Sequence, residues 1–200
     1  MLHCLAQRVI FKDMIGCRLI TNEEAELIRS SLKTTRDRAL FTLNLLTGFR
    51  IAESLSLKVG SVYRDGVALD RVTVERRNMK GKVASRTVLL HPKAKAALVE
   101  LIKDQHLEES DYLFQSNKGV NKPIGRIQAW KVLKAAVNEH KLQGKVALHS
   151  TRKAFAERMY IALGKDLVKT SKALGHVNIT STVAYLSFNT EELDTAILGQ

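Results

Sequence analysis

Apolar residues recur with a helical period over most of this chain, and with a period of two over one short stretch between Val67 and Leu90. Thr21-Asn22-Glu23-Glu24 reads as a helix start: a polar cap, acids in the first turn, then Ala25, Leu27 and Ile28 on one face. A second helix is predicted from Arg36 to Leu46, with Leu40, Leu43, Leu45 and Leu46 as core. It stops at Thr47-Gly48, and a third segment, Ile51 to Leu57, follows, so Arg50 lies at a helix junction. In the period-two stretch, Val67, Leu69, Val72 and Val74 form one or two strands and Thr87 to Leu90 another. The basic run Arg76–Ser85 joins them into a small antiparallel sheet entered through an Asp65-Gly66 turn. Pro92 opens a helix that runs through Ile102. Tyr112-Leu113-Phe114 is a short strand candidate and Asn117-Lys118-Gly119 a turn. Further helices are predicted at 124–138, 149–163, 165–174 and 178–186, with a last turn or two at Glu191–Leu198. No internal repeat or low-complexity linker interrupts the pattern. The predicted fold class is mainly α with one small antiparallel β-sheet (α+β).

Composition narrows this picture only a little, and charge narrows it more. Two hundred residues, 45% hydrophobic and 26% charged, suit one soluble domain with an adequate core. No apolar run reaches the roughly 18 residues of a membrane span, and Arg8, Lys12 and Asp13 interrupt the start too often for a signal peptide. Cys4 and Cys17 give neither a zinc spacing nor a disulfide framework, which points to a reducing cytosol. The net charge of +12 and a pI near 9.9 point to a polyanionic partner. The basic residues are spread along the chain, with a cluster at Arg71, Arg76, Arg77, Lys80, Lys82 and Arg86, as a wrapping surface would need.

The chemistry-bearing residues fall in three short boxes: TGFRIAESLSL (47–57), LHSTRKAFA (148–156) and LGHVNITSTVAYL (174–186). They hold Arg50, His149, Arg152, His176 and Tyr185, with no thiolates or carboxylate cluster to make a metal site. The same groups suit a phosphodiester. Guanidiniums grip non-bridging oxygens in a bidentate way, imidazoles donate or carry protons, and a tyrosine hydroxyl can serve as a covalent nucleophile. His149 and Arg152, at i and i+3, leave one helix face. His176 follows Leu174-Gly175, a helix C-cap signature. Tyr63, Tyr112 and Tyr160 stand in no such box and read as structural.

These boxes resemble those of the tyrosine recombinase (phage integrase) family, whose catalytic domain carries Arg, Lys, His-x-x-Arg, His or Trp, and Tyr in that order. Arg50 is followed at +3 by Glu53, and Tyr185 follows His176 by nine positions, as the family's boxes do. The resemblance covers 21–186, with an N-terminal extension at 1–20 and a tail at 187–200. It implies that Tyr185 is the nucleophile, that Arg50, Arg152 and His176 hold the scissile phosphate, that His149 assists, and that Glu53 orients the Arg50 guanidinium. The family's general-acid lysine lies on a hairpin; here Lys80 is preferred, with Lys82 as the alternative. Arg76, Arg77, Lys82, Arg86 and Lys153 are the expected DNA contacts. Lys153 stands where the family often has histidine, and Thr151 where leucine is usual.

The implied activity is site-specific cleavage and rejoining of double-stranded DNA through a 3′-phosphotyrosyl bond, with no metal, nucleotide or other cofactor. The implied assembly is a homotetramer on paired DNA sites, with the tail exchanged between protomers and accessory DNA-bending proteins as possible partners. The implied location is the cytoplasm of a bacterial or phage system, at the nucleoid. About twenty residues precede the catalytic region where most members carry a further helical domain, as in the short fimbrial-type DNA invertases or in a portion of a longer integrase. A type IB topoisomerase and a catalytically silent DNA-binding regulator are the alternative readings.

Overall fold

The computed structural model describes residues 16–79, 84–176, 178–183, 185, 186 and 198. Eight helices are seen among them: α1 (Asn22–Ser31), α2 (Thr35–Thr47), α3 (Ile51–Leu55), α4 (Pro92–Asp104), α5 (Arg126–Glu139), α6 (Leu148–Ala162), α7 (Leu167–Leu174) and α8 (Thr180–Val183). Four short strands lie between α3 and α4: β1 (Tyr63–Arg64), β2 (Val67–Ala68), β3 (Arg71–Val74) and β4 (Arg86–Leu89). No described helix is long and apolar enough to cross a membrane.

The helix starts follow the local chemistry of the sequence. The Thr21 hydroxyl accepts from the Glu24 amide at 3.2 Å, and the Glu24 carboxylate accepts from the Thr21 amide at 3.0 Å. That capping box satisfies two donors the first turn would otherwise leave unpaired. The same carboxylate takes the Arg18 guanidinium fork at 2.6 Å on both oxygens, tying the approach segment to α1. Pro92, at the first position of α4, loses no helical hydrogen bond there.

α2 is the central helix, packed against α4 on one side and α6 on the other. It is buried nearly all round, and its apolar residues are therefore not confined to one stripe. Leu43, Phe49, Val72, Val74, Leu98 and Phe114 belong to the larger core, which α2 shares with α4 and the β3–β4 hairpin. Ile28, Phe41, Leu133, Val137 and Ala154 form a second core with α1, α5 and α6. Polar groups inside α2 are paired: Asn44 donates to the Leu40 carbonyl and accepts from Ser54, and Thr47 donates to the Leu43 carbonyl.

Two expectations about the strands need correction. The single sheet is two separate two-stranded hairpins, β1–β2 and β3–β4. Asp65-Gly66 closes the first, with φ of 50° and 80°, the positive pair that a tight hairpin turn needs. Tyr112–Phe114 is not a strand. Leu113 and Phe114 are buried as anchors, and the segment makes only isolated pairings, Lys58 with Tyr112 and Gln115 with Pro123. Its apolar residues fill the core without a strand alongside to extend a ladder. The helix expected at 178–186 is shorter as well: α8 stops at Val183, and Tyr185 lies just beyond it. The 1–15 part of the N-terminal extension, and the 187–200 tail apart from the exposed Leu198, lie outside the described residues.

Candidate active site

The site forms where the C-terminal ends of α2 and α7 meet the start of α6. α2 ends at Gly48, whose φ of 62° is left-handed. A Cβ there would come within 2.3 Å of the Phe155 ring, so both the conformation and the space require glycine. The chain then turns through Phe49 and presents Arg50 as the N-cap residue of α3.

Glu53, one turn on, holds Arg50 at two points. One carboxylate oxygen accepts from the Arg50 amide and the other from Nη1 of its guanidinium, both at 2.8 Å. The Glu53 side chain is 1% exposed and that of Arg50 21%, so a buried anion aims a cation whose remaining donors reach the surface. A carboxylate placed in this way holds the guanidinium in one orientation before any ligand arrives.

Arg152 is the largest fully buried side chain among the described residues, at 1% exposed. Its two terminal nitrogens donate to the main-chain carbonyls of Gly48 and Leu174, the latter at 2.8 Å. Its Nε is buried with no hydrogen-bond partner among the described residues. Burial, then the nearby Arg50 charge, push its pKa down to about 10, which leaves it charged at neutral pH.

His176 follows Gly175, the left-handed cap of α7 at φ 65°. Its Nδ1 lies 2.9 Å from the Thr182 hydroxyl. In the tautomer where Thr182 donates, the ring proton sits on Nε2, which is buried and unpartnered among the described residues. Desolvation first, then Arg152, Arg50 and Arg86, push its pKa down to about 4. His149, in the first turn of α6, is lowered for the same reasons, with burial ahead of Arg152 and Arg50. Both imidazoles are therefore neutral at physiological pH.

Tyr185 lies among these groups. Its ring centroid is 5.2 Å from that of His176 and 6.4 Å from that of His149, and the Arg152 guanidinium carbon is 5.8 Å from it. Residues 50, 149, 152, 176 and 185 thus converge from a helix junction, α6, the turn after α7 and the position beyond α8. Beside them runs a groove of about 1020 Å³, whose lining includes Arg50, Arg126, Ile127, Trp130, Lys145 and His149.

The other expected site residues divide. Lys80 and Lys82 lie outside the described residues. Arg76 and Arg77 are exposed on a short 3₁₀ turn after β3, with Arg77 paired to Glu75 at 2.6 Å. Arg86 and Lys153, expected as DNA contacts, are each only 7% exposed. Arg86 points inward, donating to the carbonyls of Thr47 and Ala173, and Lys153 is buried in α6. In the free protein both side chains are taken up by the interior, as that of Arg152 is. Thr182 is the site residue that sequence reasoning missed. It lies in the run Ile179-Thr180-Ser181-Thr182, where nothing local singles out one hydroxyl.

Comparison with known proteins gives the family and the fold. Residues 18–192 match the model of the phage integrase family. The chain is 29% identical over 157 residues to the probable integrase/recombinase YoeC of Bacillus subtilis, covering 78% of this chain and 80% of that one. It is 29% identical over 179 residues to the tyrosine recombinase XerA of Thermococcus kodakarensis, covering 88% of this chain and 60% of that one. A crystal structure of XerA recombinase superposes with a TM-score of 0.74 at 21% identity, over 94% of this chain and 65% of that one. A post-cleavage complex of XerH recombinase with palindromic difH substrate superposes with a TM-score of 0.72 at 23% identity, over 90% of this chain and 51% of that one. The chain thus spans less than two thirds of the Xer proteins and most of YoeC.

Proposed function

This chain belongs to the phage integrase family, the tyrosine recombinases, and from that membership we propose that it breaks and rejoins DNA at specific sites through a 3′-phosphotyrosyl intermediate on Tyr185. The observation that carries the reading is a pair of buried, unpartnered nitrogens, Nε of Arg152 and Nε2 of His176, on residues that flank Tyr185. Buried donors are almost always satisfied. Two left open beside one phenol fit the non-bridging oxygens of a phosphate.

In this mechanism the Tyr185 oxygen attacks the scissile phosphorus and the bond to the 5′-oxygen breaks. Arg50, Arg152 and His176 stabilise the charge that gathers on the pentavalent phosphorus, the contribution that usually dominates such catalysis. The phenol proton passes to His149, whose neutral ring is free to accept it. Lys80, with Lys82 as the alternative, protonates the departing 5′-oxygen. The 5′-hydroxyl of a partner strand later attacks the phosphotyrosine and releases Tyr185. The arginines supply the positive charge that magnesium supplies in many phosphoryl-transfer sites, so the reaction takes neither metal nor nucleotide. The bond energy held in the phosphotyrosine drives rejoining.

DNA is the partner that the net charge of +12 and the groove beside Arg50 favour, with Arg76 and Arg77 as backbone contacts. The working assembly is a homotetramer on paired sites, with the 187–200 tail exchanged between protomers. The test is a nicked suicide substrate made from DNA flanking the gene. Wild type is expected to form an adduct that survives a denaturing gel, and Tyr185→Phe to bind with unchanged affinity but form none. A persistent adduct with the Phe variant would remove Tyr185 as the nucleophile.

A further inference from the structure

Arg86 is a buried cation that the chemistry above does not use. It opens β4 and pairs with Val74, the last residue of β3. Its guanidinium carbon lies 5.1 Å from the Phe49 ring centroid, and Nη2 donates to the main-chain carbonyls of Thr47, at 2.8 Å, and Ala173. Arg152 does the same one residue further along each chain, at Gly48 and Leu174. The four acceptors are the terminal carbonyls of α2 and α7. Such carbonyls have no donor within their own helix and carry the negative end of the helix dipole. Two guanidiniums therefore bridge two helix ends as adjacent rungs.

The positions tied in this way are those that set the site. Arg50 comes two residues after Gly48, and His176 immediately after Gly175. The second helix end admits Arg86 only because residue 175 is glycine, since a Cβ there would lie 2.7 Å from the arginine's Cδ. We propose that Arg86 is a positioning residue for strand cleavage: with Arg152 it ties the ends of α2 and α7 together so that Arg50 and His176 face one phosphate. The proposal rests on the recombinase reading above. Loss of Arg86 leaves Arg152 as a single rung, about which the two ends can pivot. A misplacement on the order of 1 Å is enough to cost about 100-fold in rate.

The test compares wild type, Arg86→Leu and Arg86→Lys in two measurements. In single-turnover cleavage of nicked DNA at saturating concentration, Arg86→Leu is expected to be slower by about 100-fold. Its Kd for the same DNA should stay within about threefold, because Arg86 is buried against two helix ends and the many backbone contacts of a DNA-binding surface hold the duplex. Arg86→Lys, which keeps a charge and three donors, is expected to recover part of the rate. The second measurement is the NMR titration of His176 in the free protein. The charges that face this ring are Arg152, Arg50 and Arg86, so Arg86→Leu should move its titration upward. General loss of stability would not do so in a folded sample. Cleavage at the wild-type rate by Arg86→Leu, or an unmoved His176 titration, would overturn the proposal. If wild type itself forms no adduct, the recombinase reading fails, and the titration alone decides the placement of Arg86. If Arg86→Leu does not fold, Arg86→Lys carries the test: slowed cleavage at unchanged Kd supports the proposal, and the wild-type rate refutes it.

Discussion

Arg50 and Glu53 divide one task between a cation that reaches the ligand and an anion that aims it. Because Glu53 is buried, its two hydrogen bonds to Arg50 are made in a poorly solvated setting, where charge-assisted bonds are strong. Removing the guanidinium removes one charged fork from the transition state. Arg50→Ala is expected to slow cleavage by about 10²–10³-fold, the usual cost of one such donor, with DNA affinity nearly unchanged. Glu53→Gln keeps one acceptor but turns the other into a donor facing a donor, so a smaller loss, about tenfold, is expected. Timed denaturing gels at saturating DNA measure both, and a wild-type rate for Arg50→Ala would exclude it from the phosphate site. This pair was legible in the sequence because it is local, three residues apart on one helical turn.

At the scale of elements, the site depends on how two helices end. Gly48 and Gly175 both adopt the left-handed conformation, which turns the chain sharply after α2 and α7 and leaves their last carbonyls open to the two arginines. Gly48→Ala should destabilise the fold by about 2–5 kcal/mol, combining about 1–2 for a side chain in left-handed backbone with about 1–3 for overpacking against Phe155. Gly125→Ala is the matched control: its φ is −77° and no atom lies within 4 Å of a Cβ there. Urea unfolding should leave that midpoint almost unmoved while Gly48→Ala lowers it clearly, and equal midpoints would refute the packing argument. The positions of these helix ends were readable from Thr47-Gly48 and Leu174-Gly175, whereas their meeting was not.

For the whole molecule, burial of the two site histidines, reinforced by the positive charge around them, makes stability depend on pH. His176 titrates near 4 in the folded protein, and His149 is also lowered, whereas an unfolded histidine titrates at about 6.5. Between those values the unfolded chain binds more protons than the folded one. The contribution to stability is therefore full above about 6.5 and is lost as pH falls toward 4. Glu24, held below its ordinary value of 4.5, loses its contribution only as pH falls below about that value, under the pH 5–7 interval of the test. The urea midpoint should fall between pH 7 and pH 5, and His176→Gln should flatten that fall. A midpoint constant over the interval in wild type would mean that the histidines are not held neutral.

Where chemistry depends on residue type and short spacing, the sequence alone determined the outcome. The capping box at Thr21, the Arg50–Glu53 turn, the glycine-terminated helices and the spacing inside each of the three boxes all involve neighbours within a few residues, where backbone geometry leaves little choice. Burial was different. Arg86 and Lys153 read as surface cations because basic residues usually are. Arg86 instead finds its carbonyls 39 and 87 residues away, and Arg152 finds one of its own 104 residues away. The period-two stretch could not show that its strands split into two hairpins, nor the Tyr112–Phe114 run that it was a core anchor. Those outcomes depend on which distant backbone arrives alongside. Only the tertiary structure decides that, because a buried charge or an unpaired strand is tolerated only where a remote partner satisfies it.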